Sequence, residues 1–145
     1  MEANGKFNVS WVTFKGPVGA RCLQRWADQC REKCSATEGC GDQKYLDSWP
    51  GDYPGEVCEI QNIGVGAAPW NLSQYKVMQD LINGFLDYVE LSGAPLVFYH
   101  FHEYIHGKRL TNYKLRQEDR ELIYAPYIEA VEAAKQEVEA LKVPA

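Results

Sequence analysis

The chain has 145 residues, of which 46% are hydrophobic, and a formal net charge of −5 at pH 7. This length suits one ordinary domain over residues 1–145, and the apolar content excludes a disordered chain. The acidic balance lacks the basic surface of a nucleic-acid binder, so we expect no nucleic-acid partner.

Membrane and export signals are the next features to consider. No stretch approaches the roughly 20 apolar residues that a membrane helix needs, so no membrane span is predicted. The amino terminus does not show the basic start and apolar run of a secretory signal. The five cysteines are an odd number, which fits poorly with a fully paired disulfide framework. These features predict reduced thiols and a cytoplasmic location.

The first third of the chain is predicted to contain a strand and two helices. Residues 7–14 are mostly β-branched and aromatic, which predicts a strand. An amphipathic helix is predicted over 18–37, ending near Gly39 and Gly41. Its apolar stripe repeats every four residues, at Cys22, Trp26, Cys30 and Cys34, and the thiols are interpreted as core residues. Asp42 then stands at the N-cap position of a short helix.

The middle of the chain predicts an antiparallel meander. A strand at 56–60 precedes a loop of small residues at 64–69. Two apolar runs, 75–81 and 85–90, flank Asn83-Gly84, which is the strongest short hairpin signal. After a turn at Ser92-Gly93, the apolar run 96–101 predicts a strand that is buried on both faces.

The carboxy-terminal segment is predicted to be helical. Residues 117–141 keep an apolar stripe with charged residues opposite, and Pro126 should restart or kink this helix. The predicted fold class is therefore mixed α/β, with an antiparallel meander and a C-terminal helix.

Three blocks carry most of the side chains that are suited to chemistry. They read Gly-Asp-Gln-Lys-Tyr-Leu-Asp-Ser-Trp-Pro at 41–50, Ala-Pro-Trp-Asn at 68–71 and Phe-Tyr-His-Phe-His at 98–102. In this order they resemble the acceptor-side, C-terminal half of bacterial nucleotide-sugar glycosyltransferases of GT-A type. A looser likeness extends to glycogenin-like retaining transferases, in which an Asp-Gln motif and a later His-Phe motif flank the sugar-diphosphate site. The resemblance covers the chain from about Asn8 to about Tyr127.

One difference between this sequence and those glycosyltransferases bears on activity. They carry an upstream nucleotide-binding half with an Asp-x-Asp metal motif, and this sequence has no such triplet. The resemblance therefore implies a partial nucleotide-diphospho-sugar transferase fold. It implies that the complete enzyme transfers a hexosyl group from a nucleotide sugar to a glycan or lipid-linked acceptor. For this chain by itself we expect little or no transfer, because positioning supplies much of such catalysis.

The resemblance also implies roles for individual residues. Asp42 would orient donor or acceptor hydroxyls, Gln43 would hold the donor sugar, and Asp47 is a weaker catalytic candidate that supports the site. His100 would touch the metal or the diphosphate leaving group. A divalent cation, Mn²⁺ or Mg²⁺, is expected in the complete enzyme because the departing diphosphate develops charge. We expect none to bind tightly to this chain alone.

Sugar recognition is assigned to aromatic and amide side chains, since aromatic faces stack on pyranose rings and amides bond hydroxyls. The substrate-binding candidates are Trp70, Asn71, Tyr99 and His102. Trp49 and Tyr104 would extend the same platform. Trp11 and Trp26 are interpreted instead as core residues.

Other functions remain open from the sequence. A stand-alone carbohydrate-binding module would hold its sugar in the cleft that these candidate residues are expected to line. Exposed edge strands would favour a homodimer. A small zinc protein would use His100, His102 and His106, because alternation on a strand places the first two on one face. A glycoside hydrolase would need a defined separation between Asp42 and Asp47, which spacing alone does not supply.

Overall fold

The computed structural model describes residues 5–34, 41–82 and 86–141, with the side chains of 80–82 and 86–87 left aside. The chain divides into two compact units, Met1–Gln61 and Asn62–Ala145. Helices occur in both units, and the second unit also contains parallel and antiparallel strands, so the mixed α/β class is confirmed. The single domain over residues 1–145 stays a prediction.

The first unit is built on helix α1, Gly16–Glu32, with a proline in its first turn, where the missing N–H costs nothing. The helix ends earlier than predicted because Lys33 is extended, and its N–H closes the last turn on the Gln29 carbonyl. The predicted stop at Gly39 lies outside the described residues. A 3₁₀ helix, Asp42–Ser48, and a short helix α2, Trp49–Asp52, follow.

The four described cysteines are free thiols, and they differ in burial. Cys22 is buried and Cys30 half-buried, and in both thiols burial is the main cause that raises the pKa. The core interpretation is wrong for Cys34, which is exposed, as is Cys58.

Three aromatic rings pack together in the first unit. The Trp26 and Trp49 rings lie edge to face with centroids 5.7 Å apart, and Phe14 lies 6.3 and 5.8 Å from them. The Trp26 indole N–H also donates to the Asp42 carbonyl at 2.9 Å, which ties α1 to the 3₁₀ helix. Trp26 packs against two rings but is half-buried, whereas the core prediction for Trp11 is wrong because that residue is 57% exposed.

Both strands predicted in the first unit are wrong. Residues 7–14 form bends and a turn, in which the Asn8 side chain accepts the Ser10 N–H at 2.8 Å. Such local side-chain bonds compete with strand pairing. Residues 56–60 follow a turn closed by the Glu56 N–H on the Tyr53 carbonyl and pair with no described strand. β propensity forms a strand only where a partner edge lies beside it.

The predicted hairpin is confirmed in the second unit. Strands β2, Val77–Ile82, and β3, Leu86–Leu91, pair antiparallel from Val77 with Leu91 to Ile82 with Leu86, while the Asn83-Gly84 turn lies outside the described residues. Strand β4, Ala94–Pro95, follows a two-residue turn. Ser92 and Gly93 have φ of 50° and 90°, the positive pair that a type I′ turn requires.

The two remaining strands correct two predictions. Residues 64–69 were expected to be a loop, yet Val65–Ala67 forms a strand, β1, which pairs in parallel with β5, Phe98–Tyr99. The long buried strand expected at 96–101 is therefore wrong. Val97 is 66% exposed, and the chain turns where the His102 N–H donates to the His100 carbonyl at 2.8 Å.

Helices complete the second unit. Helix α3, Gln117–Asp119, continues through a π-helical turn, Arg120–Tyr124, into helix α4, Ala125–Ala140. The helical prediction for this segment is confirmed, and where Pro126 was expected to restart or kink the helix, a π-helical turn leads into α4 without a break. The missing proline N–H accounts for this wider turn. In the part of the chain described, no helix has the length and apolar character needed to cross a membrane.

The core of the second unit lies where the sheets meet these helices. Its buried members are Ala67, Leu72, Val77, Leu91, Tyr99, Leu115, Ile123 and Tyr124. Arg116 fastens the start of the helices to the chain before β2, since its guanidinium donates to the Tyr75 and Leu72 carbonyls at 2.9 and 3.3 Å. The same group bonds the buried Asp119 carboxylate at 2.8 Å, which raises the pKa of Arg116. The core thus fixes the ends of β1 and β5.

Candidate functional site

Four ring side chains meet at one place in the second unit and form what we call the Trp70 cluster: Trp70, His100, His102 and Tyr113. The Trp70 ring centroid lies 5.3 Å from each imidazole and 6.3 Å from the Tyr113 ring. The two imidazoles lie 5.6 Å apart, and His102 lies 6.0 Å from Tyr113. All four residues are half-buried or exposed, so the cluster borders solvent.

The parallel strand pair brings the second and third sequence blocks together. The His100 N–H donates to the Ala67 carbonyl at 2.7 Å, directly beyond the β1–β5 pairs. Trp70 follows β1 closely in a turn in which the Asn71 and Leu72 N–H groups donate to the Ala68 carbonyl. Two motifs that are distant in sequence are thereby placed side by side.

Asn71 is engaged within its own turn. Its side-chain oxygen accepts the Ala68 N–H at 2.8 Å, and its amide N–H donates to the Gly66 carbonyl at 3.3 Å. This placement favours a role in shaping the Trp70 turn over the substrate contact expected from the sequence.

Tyr99 packs into the core of the second unit. It is 8% exposed, and its hydroxyl lies 3.4 Å from that of Tyr124. Burial and this hydroxyl raise the pKa of Tyr99 far above its ordinary value. Neighbouring residues of an extended chain point to opposite sides, so Tyr99 faces the core while His100 faces the Trp70 cluster. Tyr99 is thus placed for packing rather than for contact with a sugar.

The surroundings of His100 favour the neutral form of its imidazole. Burial lowers the pKa of its imidazole, and the neighbouring His102 adds to the effect. A neutral imidazole offers one N–H donor and one acceptor nitrogen, which suits a hydroxyl or an oxyanion at the same place.

Two residues of this region carried no motif in the sequence. Glu103 has a left-handed backbone, with φ of 60°, and its carboxylate accepts the Asn112 N–H at 3.1 Å. This bond holds the chain next to Tyr113 against the turn that follows His102. No sequence pattern pointed to Tyr113, because its place depends on how this loop closes.

The third histidine is engaged elsewhere. The His106 Nε2 lies 2.7 Å from a Glu132 carboxylate oxygen, and Nδ1 lies 3.1 Å from the Tyr104 hydroxyl. The described residues contain no group of three or more His, Cys, Asp or Glu side chains gathered to hold a metal ion. The imidazoles of His100 and His102 alone do not fit Mn²⁺ or Mg²⁺, which prefer several oxygen ligands.

The first sequence block lies in the first unit. Gly41, not Asp42, is the N-cap of the 3₁₀ helix, so the N-cap prediction for Asp42 is wrong. The exposed Asp42 carboxylate accepts the Gln43 N–H at 2.9 Å from the first helical position. Gln43 is half-buried.

Asp47 is occupied by contacts within the first unit. One carboxylate oxygen accepts the Lys6 N–H at 2.6 Å, and the other lies 2.8 Å from the Lys44 ammonium. These bonds lower the pKa of Asp47, and the bond from Lys44 contributes most. They favour the supporting role over a catalytic one. The convergence of this block with His100 stays a prediction.

The chain is similar to two proteins of Bacillus subtilis strain 168. It is 35% identical to the uncharacterized protein YfnF over an alignment of 112 residues that covers 69% of this chain and 33% of that protein. It is 30% identical to the uncharacterized protein YfnD over an alignment of 139 residues that covers 88% of this chain and 43% of that protein. No family model and no solved structure matches the chain. The chain thus spans less than half the length of these relatives.

Proposed function

We propose that the second unit supplies the sugar-binding side of a nucleotide-sugar-dependent hexosyl transfer site. In the complete enzyme, a nucleotide sugar would be the donor and a glycan the acceptor. One observation supports this most: Trp70 of the second block and the two histidines of the third share one surface, with ring centroids 5.3 Å apart. These are the side chains to which the resemblance assigns the sugar and its leaving group.

The Trp70 cluster has the chemistry that such a site needs. The indole and Tyr113 present aromatic faces to the apolar face of a pyranose. An N–H of the His100 imidazole can donate to the charge that develops on a departing diphosphate, at low cost in reorganisation. Its other nitrogen can accept a hydroxyl of the sugar. Mn²⁺ or Mg²⁺ remains an expectation for the complete enzyme.

Calorimetric titration of this chain with UDP-glucose and GDP-mannose, with and without Mn²⁺, tests the proposal. We expect saturable binding of at least one donor that Trp70→Ala weakens about tenfold, since an aromatic anchor of this kind carries about 1.4 kcal/mol or more. His106→Ala is the matched control, because it removes a ring of the same unit outside the cluster. The absence of donor binding, or equal losses in the two variants, would contradict the proposal.

A stand-alone carbohydrate-binding module is the second candidate. All four rings of the Trp70 cluster lie within the second unit, so they can hold a sugar without a nucleotide. Binding of free oligosaccharides that is indifferent to Mn²⁺ and to nucleotide would favour this function. We do not propose the zinc protein, because His106 is engaged with Glu132.

A further inference from the structure

A concave site outside the Trp70 cluster lies in the second unit, between the loop 104–110 and helix α4. The cavity has a volume of about 300 Å³, at the lower end of the range for small-molecule sites. Its walls include Tyr104, Ile105, His106, Lys108, Arg109, Leu110, Ile128 and Glu132. None of these residues belongs to the Trp70 cluster, so the site does not depend on the function proposed above.

The walls of the cavity are fixed by hydrogen bonds. Ile105 and Arg109 exchange two backbone bonds of 2.7 and 2.9 Å, which close the loop as a small antiparallel bridge. On the opposite wall, Ile128 and Glu132 lie one turn apart on α4 and therefore share a face. The cavity is thus formed before any ligand arrives.

A chain of polar groups crosses one side of the cavity. The Glu132 carboxylate only accepts hydrogen bonds, so the His106 Nε2, 2.7 Å away, carries a proton. In the neutral imidazole, Nδ1 then accepts the Tyr104 hydroxyl at 3.1 Å. Both nitrogens are engaged, which fixes the ring. The Glu132 charge is directed at His106 rather than at a ligand.

Two cations stand at the cavity without an acidic partner. Among the described residues, neither Lys108 nor Arg109 forms an ion pair, and the Arg109 guanidinium donates to the neutral Asn112 side-chain oxygen at 3.2 Å. The apolar part of the wall includes Ile105, which is 42% exposed. Two unpaired cations beside aliphatic side chains suit an anion that has an apolar body.

We propose that this cavity binds a small organic oxyanion, a phosphate monoester or a carboxylate, whose apolar body lies on Ile105 and Ile128. Lys108 and Arg109 neutralise the oxyanion, and the Tyr104 oxygen accepts a donor group of the ligand. The site is a binding site for a molecule other than the sugar, and it operates whether or not the Trp70 cluster binds a nucleotide sugar.

Titrations of ¹⁵N-labelled protein with phenyl phosphate, benzoate and benzyl alcohol test this site. We expect one of the two anions to move the amide signals of 104–110 in a saturable way, with a Kd at least about tenfold below that of neutral benzyl alcohol. The anion that binds more tightly shows whether the site prefers a phosphate monoester or a carboxylate. Signals of His100 and His102 should stay in place, which separates this site from the Trp70 cluster.

Lys108→Ala should weaken the binding of the tighter-binding anion about fivefold to tenfold. Lys114→Ala is the matched control, because Lys114 is an exposed lysine outside the cavity. Both exposed lysines can be replaced without loss of packing, so both variants should keep the dispersed spectrum of the folded protein. The proposal would be overturned if benzyl alcohol bound as tightly as the anions, or if millimolar anion caused no saturable shift. It would also be overturned if Lys108→Ala and Lys114→Ala lost the same amount of anion affinity.

Discussion

Glu103 connects an unfavourable backbone conformation to the candidate site. A non-glycine residue in the left-handed region costs about 1 kcal/mol or more and persists where the surroundings impose it. Here the surroundings are the Asn112 N–H, bonded to one carboxylate oxygen at 3.1 Å, and His102, 3.9 Å from the other oxygen. We interpret Glu103 as the residue that positions Tyr113 beside Trp70.

Glu103→Ala should release this loop. The Asn112 N–H loses its acceptor, so its hydrogen exchange should become about tenfold faster, equivalent to about 1.4 kcal/mol. Nucleotide-sugar affinity should fall at the same time, because Tyr113 leaves the Trp70 cluster. Glu103→Gln keeps a side-chain oxygen and is expected to retain most of the protection. Unchanged exchange at Asn112 in the alanine variant would show that this bond does not hold the loop.

The lowered pKa of His100 predicts how stability depends on pH. Burial, and then the adjacent His102, disfavour the charged imidazole in the folded state. The unfolded chain therefore takes up the proton first, near the ordinary value of about 6.5, and stability falls as pH decreases from there to the lower folded pKa. His100→Gln cannot be protonated and should show a flatter fall between pH 7 and pH 5 in urea unfolding. Equal slopes for the two proteins would contradict the assignment.

Among the elements, those specified by local sequence were predicted best. The hairpin β2–β3 follows from Asn83-Gly84 between two apolar runs, and the irregular turn within the C-terminal helix follows from Pro126. The parallel pair β1–β5 was not predicted, because each strand is only two or three residues long and exists through its partner. Residues 7–14 have strong β propensity but form bends and a turn, because no described strand pairs with them.

Gly64, directly before β1, lies against the backbone of Pro95 in β4. A Cβ there would lie 1.9 Å from the Pro95 carbonyl oxygen, which is a backbone atom and cannot rotate away. Gly64→Ala should therefore lower the free energy of unfolding by about 3 kcal/mol, as in severe overpacking. Gly51→Ala adds the same methyl in α2, where no atom lies within 4 Å, and should change it by less than about 1 kcal/mol. Denaturant unfolding that shows similar small losses in both variants would contradict this account of the β1–β4 approach.

At the scale of the whole molecule, the three sequence blocks are divided between two units. The second and third blocks meet at the Trp70 cluster, where His100 and His102 lie 5.6 Å apart across a turn and not on one face of the strand that was expected there. Tyr99 and Asn71 share those blocks but serve packing and turn formation. Motif order therefore indicated the region of the candidate site, whereas burial and turn geometry decided which residues of that region face solvent.

Other parts of the site depend on long-range closure and could not be predicted from local sequence. Tyr113 reaches Trp70 through a loop whose path is set by Glu103, and neither residue belongs to a recognisable pattern. Asp42, Gln43 and Asp47 belong to the first unit, where two of them already bond local amides. The relatives are more than twice as long as the matched segments, so the nucleotide-binding half remains a proposal for a longer protein.

The indole N–H signals of the four tryptophans provide the most direct test of the central claim. The protein is titrated with the nucleotide sugar that binds best, and each signal is assigned by single substitution. The account predicts that the Trp70 signal shows the largest saturable shift, because the sugar lies on that ring. A Trp70 signal that stays in place while the donor saturates the protein, or a donor that does not bind, would contradict it.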